Sequence, residues 1–316
     1  MCTAVTYHTK DDYFGRNLDY ERSFGESIVI VPRRFSFSFQ KGAAYHYAII
    51  GIAHVAEGEP LFYDAVNEKG LAMAGLLFAG NAVYHPPAEG KENVPSWAFL
   101  SWVLQQCATV EEAAFLLQRL NLTESAFRES LPPSPLHWMI TDGKRSLVVE
   151  SVAEGLRVYE NPIGVLTNNP PFPFHRENLR QYLNLTAEEA ENRFSKAIDL
   201  APFSRGMGAM GLPGDVSSAS RFVRAAFTKL NARCGDGEAE SVSQFFHILG
   251  SVEQVRGCVH LGEGKYEMTL YSSCCNLQRG IYYYTTYEDR SIRSVGLRER
   301  ELEGETLYQF PMETKA

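Results

Sequence analysis

Apolar positions along the chain recur with two different periods, and the switches between them mark out the elements. Thr3 to His8 alternates and is rich in β-branched residues. After the turn Lys10-Asp11-Asp12, the run Tyr13-Phe14-Gly15-Arg16-Asn17-Leu18-Asp19 predicts a second strand, so the chain opens on a hairpin. Further strands are predicted over 27–32 and 47–53, and the turn Asn67-Glu68-Lys69-Gly70 leads into an apolar strand over 71–78. Helical spacing then takes over: Ser96 is placed as the cap of a helix over 97–107. The box Thr109-Val110-Glu111-Glu112 opens a second helix running to about Leu120. Strands over 136–141 and 146–151, joined around Asp142-Gly143, restore the two-residue period, and strands near 156–159 and 164–167 follow. The segments 176–183, 221–232 and 241–249 have helical spacing, and the chain returns to strands over 266–273 and 280–287. Strands, helices, strands, helices, strands is the order of an α+β fold in which mostly antiparallel sheets are covered by helices.

Composition narrows the class. The 316 residues carry 45% hydrophobic side chains, ample for a sizeable core, and no linker or repeat divides them, so a single domain is the simplest organisation. Lys plus Arg number 30 against 38 Asp plus Glu; a net charge of −8 with no basic stripe argues against nucleic acid as a partner. No run approaches the ~18 apolar residues of a membrane span, and the opening Met1-Cys2-Thr3-Ala4-Val5-Thr6-Tyr7-His8 has neither a basic nor a long apolar region of the secretory kind. The six cysteines, Cys2, Cys107, Cys234, Cys258, Cys274 and Cys275, fit no metal pair and no disulfide framework, so a reduced, cytoplasmic protein without metal or cofactor is expected.

The candidate chemistry is concentrated in Cys2. A small residue in second place permits removal of Met1, which would leave Cys2 with a thiol and a free α-amine. An α-amine titrates near ~7.7–8 and is poised to act as base toward its own side chain. An ordinary cysteine near a chain end is the plainer alternative. Arg16 and Asp19 lie one hairpin away; a guanidinium favours a thiolate and a carboxylate can hold an amine, although three residues apart they face opposite ways unless a bend or bulge intervenes, and a surface ion pair is the plainer alternative. Asn168, at a strand end in Leu166-Thr167-Asn168-Asn169-Pro170, can donate to a developing oxyanion or simply make a turn. Arg221 is placed at a helix start, where the dipole disfavours a cation; it could meet a carboxylate or tune the nucleophile, and a surface arginine is the plainer alternative. Among the eight histidines, His137 beside Trp138 reads as a satisfied core residue.

Taken in order, Met1-Cys2-Thr3, Phe14-Gly15-Arg16-Asn17-Leu18-Asp19, Asn67-Glu68-Lys69-Gly70-Leu71, Leu136-His137-Trp138, Leu166-Thr167-Asn168, Gly211-Leu212-Pro213-Gly214-Asp215, Ser220-Arg221-Phe222 and Tyr282-Tyr283-Tyr284-Thr285-Thr286-Tyr287 resemble the choloylglycine hydrolase family, the bile salt hydrolases and penicillin V acylases among the N-terminal nucleophile (Ntn) hydrolases. The resemblance covers nearly the whole chain and implies a four-layer αββα sandwich, loss of Met1, attack by Cys2 on an amide carbonyl, Asp19 orienting the α-amine, Arg16 and Arg221 tuning the thiol, and Asn168 donating to the oxyanion. It also implies an oxyanion backbone N–H at Leu77, where bile salt hydrolases usually carry Asn and penicillin V acylases often Tyr. Leu18, Leu77, Phe127 and Leu131 are expected to contact substrate, and Arg205 to meet a taurine sulfonate. Conjugated bile salts are the implied substrates. A homo-oligomer, a tetramer, is the implied assembly. Penicillin V acylase activity, transfer of the acyl group to another amine, or a non-catalytic steroid-binding protein on the same fold are the alternatives.

Overall fold

The computed structural model describes residues 1–40 and 45–312. The predicted hairpin is β1 (Cys2–His8) and β2 (Asp12–Tyr20). Four antiparallel strands follow, β3 (Ser27–Val31), β4 (Ile49–Ala56), β5 (Glu59–Asn67) and β6 (Ala72–Leu77). Next come β7 (Glu92–Pro95), helices α1 (Phe99–Leu104) and α2 (Val110–Leu117), and β8 (Leu120–Thr123), which pairs with β7 in parallel. The chain continues through β9 (Leu136–Thr141), β10 (Ser146–Val152), β11 (Gly155–Glu160), β12 (Val165–Leu166) and helices α3 (Phe172–Asn178), α4 (Ser218–Asn231) and α5 (Glu238–Gly250). It ends on β13 (Val259–Gly262), β14 (Lys265–Asn276), β15 (Ile281–Thr286), β16 (Arg293–Gly296) and β17 (Tyr308–Pro311).

Two antiparallel sheets result. One runs β12-β1-β2-β14-β15-β16 with β13 beside β14; the other runs β11-β10-β9-β6-β5-β4-β3-β17. The pleat of the second sheet separates its apolar residues into two cores. Ile28, Ile30, Ile50, Ile52, Ala74, Leu76 and Met139 face the first sheet, where they meet Ala4, Leu18 and Tyr271. The alternate positions Val29, Val31, Ile49, Met73, Trp138 and Val149 face outward onto Phe99, Leu100 and Val103 of α1 and Val110 and Leu117 of α2. On the far face of the first sheet, α4 and α5 pack Phe222, Ala225, Phe245 and Ile248 against β1, β2 and β14. The architecture is therefore an α+β sandwich layered helix, sheet, sheet, helix.

Several local expectations are revised. The helix placed over 97–107 is a 3-10 turn (Ser96–Ala98) followed by the six-residue α1, and Ser96 makes no capping bond. The helix placed over 176–183 begins earlier, at Phe172, and ends in the 3-10 turn Leu179–Tyr182. The α2 cap holds: Thr109 Oγ1 accepts from Glu112 N–H (3.2 Å), but the Glu112 carboxylate reaches back to Ala108 N–H rather than to the cap residue. The turn before β6 does more than reverse the chain. Asn67 Oδ1 accepts from Lys69 and Leu71 N–H, while Nδ2 donates to Leu104 O and Cys107 O, tying the end of α1 to the sheet. Gly15 is required by packing: a Cβ there would sit 1.9 Å from Ser273 O on β14.

Candidate active site

The hairpin register sets the geometry. Cys2 pairs with Leu18 and Ala4 with Arg16, so all four side chains share the face that looks onto the second sheet. Asn17, on the opposite face, donates to Leu249 O of α5. Arg16 is fully buried and crosses between the sheets; its Nη1 donates to Tyr63 O (3.2 Å) and Gly75 O (2.5 Å), while Nη2 has no hydrogen-bond partner among the described residues. Burial works against the Arg16 charge, but Cys2, Tyr271, Asp64 and Asp19 more than offset it and hold its pKa above the usual range.

Asp19, two residues after Asn17, keeps the alternation of β2; the register shift opposite it, between Thr269 and Tyr271, lies in β14. Thr269 donates to Asp19 Oδ1 (2.6 Å), Oδ2 has no hydrogen-bond partner among the described residues, and burial raises the carboxyl pKa against the opposing charge of Arg221. The Asp19 backbone clasps the residue before the cysteine: its N–H donates to Met1 O (2.9 Å) and its carbonyl accepts from the Met1 ammonium (2.8 Å), which also pairs with Glu267.

Asn168 and Arg221 complete the cluster from two other elements. Asn168 follows β12, which is paired to β1 through Ala4–Leu166. Its Oδ1 accepts from Cys2 N–H (2.8 Å) and from Arg221 Nη2 (2.7 Å), and its Nδ2 donates to Leu77 O (2.7 Å). Arg221 donates further from Nη1 to Cys2 O (2.5 Å) and Thr3 Oγ1 (2.6 Å), and from Nε to Val216 O (3.1 Å). Burial lowers the Arg221 pKa, partly offset by Asp19 and Cys2. The helix-start premise for Arg221 is corrected: α4 begins at Ser218 with Ser217 as its cap, and Arg221 lies a turn inside, its N–H bonded to Ser217 O. What singles it out is complete burial in a helix face that looks onto β1.

The backbone of Leu77 is presented to this cluster. Phe78 N–H pairs with Pro135 O (2.8 Å), so the alternation of an antiparallel ladder turns Leu77 away from β9. Its carbonyl already meets Asn168, and the N–H of the same residue points to the same side.

A cavity of about 190 Å³ adjoins the Arg16 side. Phe127 and Leu131 line it with Phe24, Phe62, Tyr63 and Trp97. Tyr63 is also the residue whose carbonyl holds Arg16. Leu18 is buried beneath Cys2 and Leu77 is half-buried; neither lines this cavity, nor does Arg205, which is exposed in the loop before the 3-10 turn Met207–Ala209. The sequence reading missed the aromatic wall from β5, because that strand opens on Glu59-Pro60 and was not recognised.

Cys2, Arg16, Asp19, Asn168 and Arg221 are brought together by the strand register and by α4. The fold and cluster define an Ntn-type hydrolase frame. The chain belongs to the choloylglycine hydrolase family of linear amide C–N hydrolases, whose family model matches residues 2–310. It is 50% identical over 318 residues to a bile salt hydrolase/transferase of Lactiplantibacillus plantarum, covering 100% of this chain and 98% of that one, and 40% identical to the protein of the same name from Clostridium perfringens (98% and 96%). A crystal structure of the conjugated bile acid hydrolase of Clostridium perfringens superposes with a TM-score of 0.92 at 38% identity, over 99% of this chain and 97% of that one. A penicillin V acylase from Agrobacterium tumefaciens shares the fold (TM-score 0.75, 18% identity, 99% and 92% covered).

Proposed function

We propose that residues 1–316 act as one unit, with Met1 removed, that hydrolyses the amide bond of glycine- or taurine-conjugated bile acids. The Cys2 sulfur attacks the amide carbonyl. Its proton passes to the α-amine and from there to the departing nitrogen as the C–N bond breaks, releasing glycine or taurine. Water then attacks the acyl-thioester, the C–S bond breaks, and the thiol regains a proton. Asp19 Oδ2, buried and unpartnered, orients the α-amine; Arg16 and Arg221 balance the charge that passes through the sulfur; the Leu77 N–H and the second Asn168 Nδ2–H donate to the oxyanion. The observation that carries this reading is the hydrogen bond from Cys2 N–H to Asn168 Oδ1, because it places the future α-amine against the same side chain that meets Arg221 and Leu77.

The aromatic and aliphatic lining around Phe127 and Leu131 suits the apolar acyl part of such a substrate. Leu77 removes the side-chain amide found there in bile salt hydrolases but keeps the backbone donor. A taurine preference rests on Arg205 alone, whose guanidinium can pair with a sulfonate; Arg205→Ala should then slow taurocholate more than glycocholate. Exposed Leu183, Phe194 and Phe203 suit a contact between copies of the chain; a homotetramer in the cytoplasm is the assembly that the family resemblance implies, measurable as mass in solution.

The test is a panel of taurocholate, glycocholate and penicillin V, given to protein whose intact mass shows loss of Met1. Release of taurine or glycine, abolished by Cys2→Ala, is the expected result. Turnover of penicillin V alone would move the assignment to the acylase branch, and full activity of Cys2→Ala would end the thiol mechanism. Transfer of the acyl group to an added amine is a second reading, supported by the names of the relatives.

A further inference from the structure

The segment that carries Asn168 leaves the sheet after Leu166, the last residue of β12 paired to β1. Its aim must therefore be fixed by something other than a strand ladder. Three hydrogen bonds do this. Ser218 Oγ accepts from Asn168 N–H (2.9 Å) at the start of α4. His137 Nε2 lies 2.9 Å from Thr167 O, and His175 Nε2 lies 2.9 Å from Asn168 O. A carbonyl oxygen only accepts, so both imidazoles carry hydrogen on Nε2 and donate. The two rings come from different layers, β9 and α3, and grip consecutive carbonyls.

Each ring is locked in turn. Both histidines are fully buried. His137 stacks on Phe78 at 4.3 Å with planes 5° apart, and His175 stacks on Phe222 at 4.8 Å and 20°. Glu150, also fully buried, stands 3.2 Å from His137 Nδ1, and the same oxygen accepts from Phe172 N–H (2.9 Å) at the start of α3, the helix that bears His175. The Glu150 carboxyl thus couples the two histidine-bearing elements. Glu150 Oε2 and His175 Nδ1 have no hydrogen-bond partner among the described residues, so the assembly carries an unmet polar cost in the core, while the bonds it does make fix its geometry.

We propose that His137 and His175, with Glu150 fixing the ring of His137 and the start of α3, are positioning residues that hold the Thr167–Asn168 backbone so that the Asn168 carboxamide is aimed at the reacting carbonyl. The inference rests on the reading of Asn168 as an oxyanion donor. None of the three touches substrate; they act through Asn168, and a displacement of about 1 Å at a reacting group is worth as much as ~100-fold in rate.

The experiment compares His175→Leu with His175→Gln, and His137→Leu with His137→Gln, on taurocholate, with Asn168→Ala as reference. Leu keeps the apolar bulk and deletes the donor; Gln returns an N–H near the Nε2 position. Expected are a roughly 10- to 100-fold lower kcat for each Leu variant with KM within about twofold, recovery of most of that loss in the Gln variants, and no further loss when His175→Leu is added to Asn168→Ala. A kcat at the wild-type level in the folded Leu variants, or Leu and Gln variants equally impaired, overturns the proposal. Should one Leu variant not fold, the pair at the other histidine decides. Wild-type kcat in Asn168→Ala would instead overturn the oxyanion reading itself, whatever the histidine variants show.

Discussion

Exchanging Asn168 for Asp alters a single terminal group and isolates what its amide nitrogen does. The Oδ1 contacts with Cys2 N–H and Arg221 Nη2, at 2.8 and 2.7 Å, can persist in the aspartate. On the other side, the donor 2.7 Å from Leu77 O becomes an acceptor facing an acceptor. One hydrogen bond worth about 1 kcal/mol is lost and the Leu77 carbonyl is left without a partner, at a further cost of about 1–3 kcal/mol. The larger effect falls on catalysis: deleting one oxyanion donor costs about 2.7–4 kcal/mol, or 10²- to 10³-fold in kcat. Arg221 favours the ionised carboxylate, which repels the developing oxyanion, so the upper end of that range is expected. Steady-state release of taurine from taurocholate, with thermal unfolding of both proteins, is the assay. A kcat within about tenfold of wild type in folded Asn168→Asp would show that Leu77 N–H or another group carries the oxyanion unaided.

Burial pushes His175 down to about 4 from its ordinary 6.5. The unfolded chain therefore takes up this proton first as pH falls. The neutral ring's contribution is intact above pH 6.5 and is lost by pH 4, an amount of about 3 kcal/mol that denaturant titrations should show as a steep acid limb, flattened in His175→Gln. Lys229, whose ammonium donates to Ile163 O, is pushed down to about 8 by burial. Here the unfolded chain holds the proton longer as pH rises, so wild-type stability should climb between pH 8 and 10.5. Lys229→Met should lack that rise, and an equal slope in both proteins would contradict the desolvated lysine. Phe127, edge-on to Trp97 at 5.0 Å and 81°, walls the apolar cavity. Truncation to Ala should raise KM for bile-salt conjugates about tenfold or more with little change in kcat, as about 1.5–3 kcal/mol of apolar burial is lost. A KM within twofold would remove this cavity as the acyl-binding site.

Much of the site was legible along the chain because β-pairing is a local rule. Once Thr3–His8 and Tyr13–Asp19 are recognised as a hairpin, Cys2, Arg16 and Asp19 are neighbours whatever the rest of the fold does. Antiparallel sheets with a helical cover followed from the change of hydrophobic period; the four-layer αββα arrangement was implied by the family resemblance. Short edge strands such as β16 and β17 have too few residues for a period to show, and β5 was hidden behind Glu59-Pro60.

Other features depended on distant segments meeting. The register shift in β14 that faces Asp19, the Leu77 backbone freed from β9 by its place in the ladder, and the two histidines that grip Thr167 and Asn168 each involve residues far apart in the chain. Arg221 shows the division well. Its sequence position raised a question about a helix dipole, but its contacts follow from α4 lying on β1, which carries the guanidinium to Cys2 O and Asn168. Local propensity and periodicity specify elements and the residues they carry; which faces are brought within hydrogen-bonding distance is decided only when the layers pack, because buried polar groups must find their partners there.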